Sequence, residues 1–301
     1  MRVISIDELK DIFDGLDGNV KGSFDAWQKK AEEHLDLIRA MDKPARSKHW
    51  AKNNIWRDLY PALSKLSEHK CWYSEAPENS SEWEIEHYRP KAESKNENGV
   101  VIREDGYWWL SYHWSNYRLA GSLVNKLRKE RFDKGEEVYG KGNYFPIEDI
   151  TKVGQPEDID CDCERPLLID PLKPKDVTLI SFDCNGEPYP TYNEDDNALY
   201  HRKALLSIKY YGLKHTPLNR GRSKIWANCD RVVSKAHNYI KNNINDPVKR
   251  DEKIDECFLQ LARYTKKTEP YTMVVRNYIK EKLKDKNYNW LADVVLVLGH
   301  N

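Results

Sequence analysis

Residues 84–95 read EIEHYRPKAESK, and two neighbours in this stretch carry groups that can do chemistry. Glu86 offers a hard carboxylate oxygen, a ligand for a hard cation. His87 offers an imidazole, which accepts a proton near neutral pH. A lone Glu-His pair is also what a charged surface turn looks like, so it means little without its surroundings. Geometry adds a condition. Neighbouring side chains on an extended segment point opposite ways, so Glu86 and His87 share a site only if the end of a hairpin strand twists locally.

The elements around this stretch fall into zones, and the pattern reads as α+β, mostly helical. Residues 1–70 read as helices after a short opening strand at Val3, Ile4 and Ile6. Asp7 is a candidate cap for the first helix. Phe24, Trp27, Ala31, Leu35 and Ile38 form one helical stripe, and Ile55, Leu59, Leu63 and Leu66 another, with Pro61 starting a new turn or a kink. Residues 71–147 change character: they are rich in aromatic and turn residues and hold the chemical motifs. Residues 148–196 read as an acidic loop or insertion followed by a strand–turn–strand with Asn185-Gly186 at the turn. Residues 197–301 return to helical spacing.

Composition bounds the function. The 301 residues carry 49 Lys and Arg against 49 Asp and Glu, so no global field draws the chain to a polyanion and any such contact needs a local basic patch. Neither the opening MRVISIDELK nor the run DVVLVLG suits a secretory signal or a membrane span. Six scattered cysteines, at 71, 161, 163, 184, 229 and 257, suit reduced thiols in a cytoplasmic protein. There is no G-x-x-x-x-G-K-[ST] loop, so any ATP dependence would come from a partner.

The order CWYSE, IEHYRPK, GYWWLSYHWSNYRLAGSLVNKLRKERF and NYFPI resembles the HNH nucleases of the His-Me finger class. More narrowly, it resembles the PtuB-like branch found in Septu and retron defence systems. The likeness continues through LLIDP, RKALLSIKYYGL, LNRGR and EPYT, and so covers most of residues 50–280. It implies a ββα-metal (HNH) finger over 71–147, embedded between N-terminal helices and a C-terminal helical region that docks a partner.

Hydrolysing a phosphodiester needs an activated water, a cation on the scissile phosphate and help for the leaving oxygen. Carried over from the resemblance, His87 is the base and Glu86 a metal ligand. Asn116 of WSN orients the imidazole, and Asn125, opening the next helix, is the second ligand. Two oxygen ligands suit Mg²⁺ or Mn²⁺ better than zinc. Arg89, Lys91, Arg128 and Lys129 are candidate phosphate contacts, whereas Arg131 and Lys134 read as a solvated helix face. The branch also carries a structural zinc on four thiolates. Of those positions this chain keeps Cys71 and has Ser74, Gly121 and Val124 at the others, so a structural zinc is not expected. Apolar packing of Val124, Leu123 and the nearby Trp and Tyr side chains would replace it. A competing arrangement folds Cys161, Cys163 or Cys184 back to Cys71 around a metal.

The function implied is a metal-dependent HNH endonuclease cutting DNA, the nuclease subunit of an antiphage complex working with an ABC-type ATPase. The alternatives are an RNA nuclease, for example on tRNA, and an inactive HNH-fold adaptor.

Overall fold

The computed structural model describes residues 1–16, 22–77, 83–126, 128–129, 138–156, 158–243 and 245–292, with backbone alone at 123, 128, 129, 138 and 139. About half of the chain is helical and the sheets are small. No helix of the described residues is long and apolar enough to cross a membrane.

The N-terminal helices are α1 (Leu9–Asp14), α2 (Phe24–Arg39), α3 (Lys43–Lys52) and α4 (Tyr60–Leu66). Ser23 caps α2 by accepting the Ala26 N–H at 3.2 Å, and the helix buries Phe24, Trp27, Ala31 and Ile38. Pro61 opens α4 directly after a 3₁₀ turn, Ile55–Leu59, where its missing N–H is no loss. The sequence pattern passed over α3, although Asp42 caps it through Ala45 N at 2.8 Å and Pro44 stands in its first turn. The opening strand is not formed: residues 1–6 belong to no ladder, and Ile4 N makes one bond to Pro171 O at 3.0 Å. The Asp7 cap also moves, to Glu8, with no side-chain bond.

The middle of the chain is built on β1 (Glu84–His87) and β4 (Tyr117–Ala120), antiparallel, with Glu86 opposite Arg118 and His87 opposite Tyr117. Between them lie the small β2 (Ser94–Lys95)–β3 (Val101–Arg103) ladder and 3₁₀ turns at Trp108–Leu110 and Trp114–Asn116. After Gly121 comes α5 (Ser122–Asn125), giving a β-β-α order. The long basic helix expected from Asn125 onward does not form. Asn125 ends α5, and β5 (Arg128–Lys129) pairs with β6 (Val138–Tyr139). The reason lies further along the chain. Lys141 N and Gly142 N reach back to the Val124 and Asn125 carbonyls at 2.9 and 3.0 Å, taking acceptors that a continuing helix would use. Residues 131 and 134 lie outside the described residues.

The acidic stretch leads to β7 (Ile180–Phe182) and β8 (Pro188–Pro190), whose turn places Gly186 at φ +76°, a left-handed conformation that glycine adopts freely. Then follow α6 (Ala198–Tyr210), α7 (Thr216–Asn242), α8 (Pro247–Tyr264) and α9 (Thr272–Lys282). Among the described residues three apolar cores result. One joins the N-terminal helices to Trp72, Tyr112, Tyr117 and Leu119. The second joins Cys71, Tyr73, Val124 and Phe145 to the 167–182 segment and α6. The third lies among α7, α8 and α9.

Candidate active site

The pleat of β1 sends its two chemical residues to opposite faces. His87 turns towards the N-terminal core, edge-on to the Trp56 ring at 5.0 Å and the Tyr117 ring at 5.1 Å. Its Nε2 is 2.9 Å from the Ser111 carbonyl, which can only accept, so the proton sits on Nε2 and Nδ1 keeps its lone pair. Burial, first, and the positive charges of Lys91 and Lys141 hold His87 well below the ordinary histidine pKa, opposed by the Ser111 bond. The ring is therefore neutral at physiological pH.

Glu86 turns the other way and is 4 % exposed. The Tyr73 hydroxyl donates to its Oε2, and the Lys141 ammonium pairs with its Oε1. Lys141 also donates to the His87 carbonyl at 3.1 Å. Burial lowers the Lys141 pKa while Glu86 pulls it back up. Burial beside the Glu86 charge raises Tyr73 well above the usual phenol value. The hairpin end does not supply the twist that would bring Glu86 and His87 to one face.

Asn116 is bonded to backbone rather than to the imidazole. Its Oδ1 accepts Arg89 N at 2.8 Å, and its Nδ2 donates to Arg89 O at 3.0 Å and Leu110 O at 3.3 Å. It thereby pins the turn that follows β1 to the loop that carries Ser111. Arg89 pairs with Glu164 at 2.8 Å, a carboxylate that also accepts Tyr107 OH and Gly154 N, each at 2.8 Å. That guanidinium is held inside the fold.

Asn125 meets a different carboxylate from the one expected: its Nδ2 donates to Glu84 Oε2 at 2.8 Å. Both line a cleft of about 740 Å³ with Trp56, Arg57, Tyr60, Trp83 and Lys126. Lys126 pairs with Glu84 across it. A second hollow of about 370 Å³ shares Trp56 and Arg57 with the first and is lined also by Trp50, Asn54 and Lys91. Lys91 lies 4.8 Å from the Trp56 ring centre and 5.8 Å from that of Trp50. No carboxylate of the described residues pairs with it, and burial lowers its pKa to about 8. Arg128 and Lys129 stand on β5, and their side chains lie outside the description.

Of the four knuckle positions, Cys71 and Val124 lie in one apolar core. Cys71 accepts the Gly121 N–H at 3.3 Å, Ser74 accepts Ala76 N at 3.3 Å, and Val124 is 2 % exposed in the same core as Cys71 and Tyr73. Gly121 lies against Trp83, whose ring would stand 2.6 Å from a Cβ there. Cys161 bonds Asp158 O at 3.3 Å, with burial pushing its thiol up to about 12, while Cys163 and Cys184 are exposed. Among the described residues no three His, Cys, Asp or Glu side chains gather as a metal site. The pair expected to hold Mg²⁺ or Mn²⁺ does not fit that role as arranged. Both Glu86 oxygens are engaged, and Asn125 faces Glu84.

The chain is similar to the Septu protein PtuB of Bacillus mycoides. The likeness is 27% identity over 164 residues, 54% of this chain and 49% of that protein. The chain thus spans about half the length of the curated relative it matches. No family model matches, and no solved structure matches. The PtuB likeness is between sequences, and the side-chain contacts above come from this chain alone.

Sequence reasoning missed Glu84, Lys141, Tyr73, Trp56, Arg57 and Ser111 as members of the site. Glu84 was within reach, because it shares strand parity with Glu86 and opens β1. Lys141 carried no spacing signal: it lies 54 residues from His87, whose carbonyl it bonds.

Proposed function

We propose that the chain is a component of an antiphage defence system of the Septu kind and that it hydrolyses phosphodiester bonds of DNA, with His87 as the general base. The reading builds on the PtuB likeness and on the β-β-α order of β1, β4 and α5. One observation carries it. The imidazole is neutral and fixed, its Nε2–H committed to Ser111 O at 2.9 Å, so that Nδ1 is the nitrogen able to take a proton. A water beside Nδ1 gives its proton to the ring as its oxygen bonds phosphorus. The bond from phosphorus to the leaving alkoxide breaks, and that alkoxide takes a proton from solvent. Lys91 and Arg57, on the hollow beside Trp56, are the cations proposed to steady the phosphate. No step is assigned to Glu86 or to a metal on it.

The test is cleavage of linear DNA and of total RNA by the purified chain with Mg²⁺ or Mn²⁺. His87→Ala is expected to lose at least about a hundredfold in rate, the scale of a general base. Cleavage of RNA alone would move the substrate to RNA while keeping the base.

The Glu86–Lys141 pair favours a second reading, an adaptor that keeps the fold without turnover. Equal inertness of the wild type and His87→Ala, with and without an ATPase partner, would establish it. For either reading the proposed partner is an ABC-type ATPase, docked on the C-terminal helices. There Val248 and Leu259 of α8 are 67% and 61% exposed, and Tyr239 of α7 is 38% exposed.

A further inference from the structure

Lys141 is among the most deeply buried side chains of the protein, at 1 % exposure, yet it carries a charge. An isolated ammonium or carboxylate is not tolerated in such a place, because each loses its hydration. Here the two meet: Lys141 Nζ against Glu86 Oε1, with the second carboxylate oxygen taken by the Tyr73 hydroxyl. A further ammonium hydrogen reaches the His87 carbonyl at 3.1 Å. The backbone beside the cation is fixed as well, since Lys141 N and Gly142 N close the end of α5 at Val124 O and Asn125 O. One residue thus ties the strand that bears His87 to the helix that bears Asn125.

We propose that the Lys141 ammonium is the resident cation of the Glu86 carboxylate, filling the place between β1 and α5 where a divalent ion would otherwise bridge them. The chain carries this cation covalently, so the unit folds without a metal. An ammonium suits this setting, in which a buried carboxylate needs a counter-charge and a carbonyl needs a donor. The proposal stands whether or not the protein cleaves nucleic acid.

Thermal melting of the full chain tests it. The wild type is expected to melt within about 1 °C of the same temperature in EDTA, Mg²⁺ and Mn²⁺, whereas a bound ion would raise it by mass action. Lys141→Met strands a buried carboxylate and is expected to lower the midpoint by about 10 °C. In Glu86→Gln/Lys141→Met both charges are gone and the Tyr73 hydroxyl keeps an acceptor, so more than half of that loss should return. A Mn²⁺-dependent rise in the wild type that Glu86→Gln abolishes would overturn the proposal. So would a double variant as unstable as the two single losses summed. The metal series uses the unmodified chain, so it decides the matter even where Lys141→Met fails to fold.

Discussion

His87 is enclosed by Trp56, Tyr117 and the Ser111 carbonyl, and this enclosure makes its protonation a matter of stability. The folded ring titrates well below the unfolded value of 6.5, mainly through burial. Above about pH 6.5 both states hold a neutral ring and its contribution is complete. Below it the unfolded chain binds a proton that the folded chain refuses, so stability falls with pH until the folded pKa is reached. Denaturant titrations from pH 7.5 to 5 should show a slope in the wild type that is reduced in His87→Phe. Lys91 titrates in a different window, near 8. Oligonucleotide affinity should weaken as pH rises through and somewhat above that value, since a bound phosphate favours the ammonium. Lys91→Met should bind more weakly and lose the step, as fluorescence anisotropy would report. At this scale the sequence was half readable. The hairpin strand that carries Glu86 and His87 was readable from residue type and company. The partners of Glu86 and Asn125 were not, because strand parity and contacts from 13 to 55 residues away decide them.

Elements with local causes were legible. The α2 stripe, the Pro61 start of α4, the Asn185-Gly186 turn and the C-terminal helices all follow from spacing and capping within a few residues. Ser23→Ala should cost about 1 kcal/mol by urea titration, since its hydroxyl meets one of the orphan donors of α2. Elements decided at long range were not legible. The end of α5 depends on residues 141 and 142, and the absent opening strand would have needed a partner that Pro171 does not extend into a ladder. Long-range pairing also explains Arg118. Its guanidinium grips Asp170 through two bonds of 2.8 Å, both side chains buried. Arg118→Met leaves that carboxylate alone and should destabilise the fold by about 3–5 kcal/mol.

Over the whole molecule, charge neutrality is organised rather than diffuse. The segment that reads as an acidic loop supplies Glu164 to Arg89 and Asp170 to Arg118, both of them cations next to the chemical strand. Among the described residues, what remains on the cleft side is Arg57 and Lys91, with Lys126 shared by Glu84. Removing Arg57, Lys91 and Lys126 together should therefore lower the salt slope of nucleic-acid binding by about two or three phosphate contacts. The apolar side chains at the far end belong to partner docking in the proposed reading. Val248→Asp/Leu259→Asp should leave the melting temperature within about 2 °C and abolish co-purification with the ATPase. Unaltered co-purification would move the docking surface elsewhere.

Gly121 lets the Trp83 ring lie where a side chain would otherwise stand. That contact gives the order of substitutions a direction. Any side chain placed at position 121 meets that indole first, so a substitution there requires the residue 83 ring to shift or to shrink.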